Sequence, residues 1–146
     1  TLLMNNNIPY KKVGGPKFFE REAVQDILAY LRVIANPIDT LAWFRILQLI
    51  YGIGDTYARN IVEHVTEKDF LLHEYPTKKF HQDMEKLHNT ILNFRIKYYR
   101  NKLSIPDLVL KINEYYIEQR KELLENAKLN EEQKINEQDK LMIKIF

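Results

Sequence analysis

The sequence predicts a mainly α-helical protein, with one short β candidate near its start. Three observations predict it. Apolar residues recur at helical spacing along most of the chain, as at Phe80, Met84, Leu87, Ile91 and Phe94. Residues that start helices stand ahead of such runs, at Asp39, Thr40 and Ser104. Glycine is scarce, four residues in 146, and two of the four bracket Ile53 between two apolar helical patterns.

The elements follow in order. TLLMNNN at the start reads as the end of a helix, with its Asn residues as stop signals. IPYKKV is the β candidate, with Pro9 at its edge, where a strand tolerates it. GGPKFFER reads as a turn. A helix then runs through REAVQDILAYLRVIAN, with Val24, Ile27, Leu28, Leu31 and Ile34 as its apolar stripe. Asn36-Pro37 ends it, because the residue before proline avoids the helical region. Asp39 or Thr40 caps the next helix, TLAWFRILQLI. Gly52-Ile53-Gly54 and the helix DTYARNIVEHV come next. A long helix follows over KKFHQDMEKLHNTILNFRIKYYRNK. Ser104 caps another, with Pro106 and Asp107 in its first turn, and the charged segment from Asn130 onward is helical too. The cleanest boundary is Asn36-Pro37, which separates a strand-turn-helix piece (1–36) from an all-helical piece (37–146).

Bulk composition narrows the class. Hydrophobic residues make up 45% and charged residues 29%, a globular balance. With no cysteine, disulfides and cysteine-ligated metal sites are excluded. The net charge of +2 is too small to mark a nucleic-acid binder by itself. No apolar run approaches the ~18 residues that span a membrane, so no membrane partner is expected. The first residues resemble neither a signal nor a transit peptide, and without an initiator Met they read as part of a longer protein.

The glycine pair has a physical reading. A tight link between two helices needs positive φ, which glycine adopts cheaply. Ile53 can point inward and tie the link to both helices, and Ala58 lets the helices approach. This is the pattern of a helix-hairpin-helix unit. It turns the backbone N–H groups of Gly52, Gly54 and the following turn outward at a helix N-terminus, an arrangement suited to a phosphate. Such contacts hold nucleic acid without reading its sequence. Thr56 can add a hydroxyl, Arg59 a charge, and Tyr51 a stacking or hydrogen-bonding group. The plain alternative is a structural turn, with Gly54 ending one helix and Asp55 capping the next. In the earlier segment, Gly14-Gly15 turn the chain ahead of Phe18, Phe19 and Arg21. Aromatics beside a cation suit stacking on unpaired bases, unless the Phe side chains are core.

Taken in order, IPY, GG, FFER, DILAYLR, NP and GIG resemble the superfamily 1 DNA helicases of the UvrD, Rep and PcrA type. The resemblance covers roughly residues 8 to 60, and beyond it the chain is similar only in being helical. It implies that residues 1–36 are part of the RecA-like α/β motor domain 2A, and that residues 37–146 form the helical 2B subdomain. It places Gly14, Gly15, Phe18, Phe19 and Arg21 on the single-strand track, and Gly52, Ile53, Gly54 and Thr56 on the duplex ahead of the junction. Where the family often has a Pro and an Arg before GIG, this chain has Gln48-Leu49-Ile50-Tyr51, without a cation. The resemblance further implies an ATP-dependent parent enzyme that hydrolyses ATP with Mg²⁺ and moves 3′ to 5′. Such a parent is cytoplasmic, prokaryotic and nucleoid-associated, and serves repair or replication.

The segment carries no G-x-x-x-x-G-K-[ST] loop, so it is expected to be inactive as an ATPase alone, with no cofactor of its own. No nucleophile–base set or metal-ligand spacing is apparent, and His64, His73, His81 and His88 are expected in structural or surface roles. Arg95, Lys97, Arg100 and Lys102 surround Tyr98 and Tyr99, a composition that binds nucleic acid or equally favours a helix C-terminus. Two functions therefore stand: a DNA-binding segment of a helicase, and a helical protein–protein module in which the hairpin is only structural.

Overall fold

The computed structural model describes residues 16–145, and the side chains of residues 21–132. Among the described residues there are five α-helices: α1 (Pro16–Ala35), α2 (Thr40–Leu47), α3 (Asp55–Val62), α4 (His81–Tyr99) and α5 (Ile105–Ile145). A single 3-10 turn, Phe70–Leu72, lies between α3 and α4. There is no strand among the described residues. The expected strand at IPYKKV and the helix end before it lie outside them.

GGPKFFER is not a turn throughout, because α1 already begins at Pro16. Proline is favoured as the first helical residue: its missing N–H would have had no partner there, and its fixed φ suits the helix. Phe18, Phe19 and Arg21 therefore stand in the first turns of α1. The expected apolar stripe of α1 is also rotated. Ile34 is buried and Ile27 and Leu31 are half-buried, but Val24 and Leu28 are 54% and 43% exposed. The buried face instead carries Asp26, Ala29, Tyr30 and Val33.

The rotation has a polar cause. Asp26 accepts hydrogen bonds from Arg45 Nε on α2 at 2.7 Å and from the Tyr116 hydroxyl on α5 at 2.7 Å. Arg45 also reaches Glu22 at 2.7 Å. A buried carboxylate is tolerated when its oxygens are paired in this way. Burial, and then the hydrogen bond to Asp26, push the Tyr116 hydroxyl above its ordinary pKa.

The link between α1 and α2 behaves as the sequence predicts. Asp39 caps α2, accepting from the Ala42 amide at 3.0 Å, and its other oxygen pairs with Arg32. Trp43 donates from Nε1 to the Pro37 carbonyl at 2.7 Å, which fixes the Asn36-Pro37 bend to α2. Trp43 also meets Phe70 edge-on.

α4 buries the predicted stripe of Met84, Leu87, Ile91 and Phe94, with Phe80 at its start. The Arg95 guanidinium donates to the Ile34 carbonyl and so covers the end of α1. Ser104 Oγ accepts from the Asp107 amide at the start of α5, and Leu108, Ile112, Tyr116 and Gln119 turn that helix into the core. The charged segment after Asn130 is a continuation of α5 rather than a separate helix. At 41 residues, α5 is ~60 Å long at about 1.5 Å per residue.

Candidate nucleic-acid interface

The segment between α2 and α3 is closed by backbone hydrogen bonds. The Leu49 and Ile50 amides donate to the Ile46 and Leu47 carbonyls, and the Ile53 amide donates to the Ile50 carbonyl at 3.1 Å. Gly52, third in the turn Ile50–Ile53, has φ +96°. That left-handed value in this position is the mark of a type II turn, which favours glycine. The position is also crowded: a Cβ on Gly52 would lie 3.3 Å from Phe80 Cδ2.

Gly54 is different. Its φ is −101°, so the expectation that both glycines need positive φ holds at Gly52 alone. A Cβ on Gly54 would meet nothing within 4 Å. Gly54 is the N-cap of α3, and among the described residues no side chain caps that end. Asp55 is thus the first helical residue and not the cap, because Gly54 already provides the extended backbone that the cap position takes. The Asp55 carboxylate accepts from Arg59 Nη2 at 2.8 Å, one turn along the exposed side of α3.

The candidate residues divide by exposure. Tyr51, Gly52, Gly54, Thr56 and Arg59 are exposed. Ile53 is 4% exposed, so its side chain belongs to the core, as expected, and only its backbone can serve a ligand. Leu49 and Ile50, in the stretch where the resemblance leads one to expect a cation, are buried as well. In the other group Arg21 is exposed on α1. Gly14 and Gly15 lie outside the described residues, as do the side chains of Phe18 and Phe19.

Tertiary packing adds an aromatic support that local patterns did not reveal. Tyr57, in the first turn of α3, packs edge-on against Tyr75 and Phe80, with ring centroids 4.8 and 5.1 Å away. Tyr75 holds a φ of +48°, rare for a bulky residue. Its hydroxyl accepts from Asn60 Nδ2 on α3, and its ring is clasped by Tyr57 and Phe80, so the surroundings enforce that backbone. Lys78 lies over the Tyr57 ring at 5.5 Å and brings a cation to this end of α3. The only local hint was the run Thr77-Lys78-Lys79.

Three of the four histidines sit beside oxygens. His64 contacts Glu67 at 2.7 Å, His81 donates to the Glu74 carbonyl, and His88 is 3.6 Å from Asp69. The hydrogen bond to Glu67, and then the charge of Glu74, raise the His64 pKa. Among the described residues no three His, Cys, Asp or Glu side chains are grouped to hold a metal. No described helix is long and apolar enough to cross a membrane.

Comparison with known proteins gives these features a context. The chain is 40% identical over 67 residues to the ATP-dependent DNA helicase PcrA of Staphylococcus epidermidis, covering 45% of this chain and 9% of that protein. It is 51% identical over 55 residues to the ATP-dependent DNA helicase UvrD1 of Mycobacterium tuberculosis, covering 37% of this chain and 7% of that protein. It is 56% identical over 45 residues to the ATP-dependent DNA helicase Rep of Escherichia coli, covering 31% and 7%. The chain therefore matches less than a tenth of the length of these curated relatives. No solved structure matches. The model of the UvrD-like helicase C-terminal domain matches residues 1–145, and the chain belongs to that family.

Proposed function

We propose that this chain is the DNA-binding and regulatory segment of an ATP-dependent 3′–5′ DNA helicase, and that it holds the duplex at a junction through the Gly52–Gly54 hairpin. One observation carries the reading: the N-terminus of α3 is exposed, and among the described residues no side chain caps it and nothing lies within 4 Å of a Cβ placed on Gly54. Helix N-terminal amides without partners favour a phosphate oxygen. Thr56 adds a hydroxyl beside them. Arg59 adds a charge that its pairing with Asp55 tempers. Contacts of this kind carry no sequence preference, which suits an enzyme that must move along DNA.

In this reading residues 1–36 belong to motor domain 2A and residues 37–146 to 2B, with the Asn36-Pro37 bend between them. Rotation of 2B against 2A regulates unwinding. Gly14, Gly15, Phe18, Phe19 and Arg21 follow the single strand. ATP and Mg²⁺ serve the parent enzyme, which works in the cytoplasm on nucleoid DNA. This chain has no phosphate loop and no acidic cluster for a metal among the described residues. In this reading the nucleotide is held elsewhere in the parent enzyme, and no chemical step is assigned to this chain.

A second reading, a protein–protein module, draws on Leu110, Ile117 and Leu124, which are exposed at seven-residue intervals along α5. A salt series separates the two. The affinity of the chain for a labelled fork duplex, measured by anisotropy, should fall by about 0.9 log unit per log unit of salt for each phosphate held. Gly54→Val, which obstructs the approach without straining the fold, should abolish that binding. Equal affinity of the folded variant would remove the hairpin from the interface and favour the protein-module reading.

A further inference from the structure

The densest run of basic residues lies at the far end of α4 from the hairpin. From Lys86 to Pro106 the chain has Lys86, Arg95, Lys97, Arg100 and Lys102, and no Asp or Glu. The usual structural account is that cations at a helix C-terminus satisfy its last carbonyls. Here the backbone already does so. The Lys102 amide donates to the Lys97 carbonyl at 2.8 Å, and the Asn101 amide donates to the Tyr98 carbonyl at 3.0 Å. Asn101 takes the left-handed φ of +56° that completes this Schellman cap.

Arg95 has a structural task, donating to the Ile34 carbonyl while lying 5.1 Å from the centre of the Tyr99 ring. Lys97, Arg100 and Lys102 are exposed, and among the described residues none of them forms an ion pair. Tyr99, the last residue of α4, lies between them in sequence and is 57% exposed. Three exposed cations that form no ion pair among the described residues, on a rigid capped helix end that also carries an exposed aromatic ring, match the chemistry of a phosphodiester backbone with a base to stack. Arg95 and Tyr98 already pack on the Tyr99 ring, and the part of it that stays exposed offers a base a surface to stack on, which an acidic protein surface does not use.

The geometry points to a second nucleic-acid contact, formed by Lys97, Arg100, Lys102 and Tyr99 and separate from the hairpin. α4 begins beside Phe80, which packs under Gly52, and runs 19 residues to Tyr99. The two contacts are therefore ~27 Å apart along one helix, at about 1.5 Å per residue. Single-stranded and duplex DNA share the phosphate backbone, and Tyr99 tells them apart.

The test measures anisotropy of the chain with a labelled single strand and with the matching duplex over a salt series. Lys97→Ala/Arg100→Ala/Lys102→Ala should reduce the salt slope by about 2.7 on duplex or about 2.1 on single strand, the value for three phosphates. Tyr99→Ala should weaken the single strand about tenfold if bases stack there, and an unchanged affinity with the slope still lost to the triple variant assigns the duplex backbone. Circular dichroism checks the fold, and the single change Lys97→Glu gives a second variant with the same expected direction. An unchanged slope in both charge variants overturns the proposal. If Gly54→Val then removes the binding, the hairpin reading survives alone. If wild type binds neither probe, both fail.

Discussion

Phe80 supports Gly52 from below: its Cδ2 lies 3.3 Å from the position a Cβ on Gly52 would take. The residue that starts α4 thus limits what can stand in the turn between α2 and α3. Gly52→Val meets both a left-handed φ and this ring, and is expected to destabilise the fold by about 2–4 kcal/mol. Gly54→Val meets neither obstacle, but it replaces a good N-cap residue with a poor one and should cost about 0.5–1 kcal/mol. Urea unfolding followed by Trp43, the single tryptophan, checks both. Equal losses at the two glycines would contradict the described turn.

Asp26 joins three helices through Arg45 and Tyr116. Tyr116→Phe leaves a buried carboxylate oxygen without its donor and should cost about 1.5–3 kcal/mol. Asp26→Ala should cost about 2–3 kcal/mol, below the usual value for a broken buried pair, because Arg45 is partly solvated and keeps Glu22. A double-mutant cycle should show coupling near the single Tyr116→Phe loss. Additive losses would mean that the hydrogen bond adds nothing.

His64 should titrate above its ordinary value of 6.5, chiefly through its hydrogen bond to Glu67. Because the folded pKa is the raised one, the stabilisation is fully present below the unfolded pKa and is lost as pH rises through the folded value. NMR titration of the His64 ring checks this. Glu67→Gln should bring the midpoint back toward 6.5, and a midpoint indifferent to that change would refute the assignment.

Asp55 holds Arg59 at 2.8 Å on the exposed side of α3. If the hairpin end binds phosphate, Asp55→Asn removes a repelling charge and releases Arg59. Duplex affinity at low salt should then rise about two- to threefold, the scale of an exposed charge pair, with a steeper salt dependence. Weaker binding in the variant would show that the pair orients Arg59 instead of restraining it.

The sequence by itself determined the order of the helices and several of their starts and stops, because periodicity, caps and breakers are local. Asp39, Ser104 and Pro37 act where they stand, and Met84, Leu87, Ile91 and Phe94 are buried as their spacing predicts. The short motifs were enough to indicate the family. Only the tertiary structure decided which face of α1 is buried, since Asp26 looks like a surface residue until Arg45 and Tyr116 arrive from 19 and 90 residues away. It likewise separated Gly52 from Gly54, which are alike in sequence and differ in φ and in what surrounds them. Phe80, Tyr75 and Lys78 reach the hairpin end of the molecule from a loop beyond α3, and no local pattern carries that information. Side-chain partners distant in sequence are chosen by packing, and packing is a property of the whole chain.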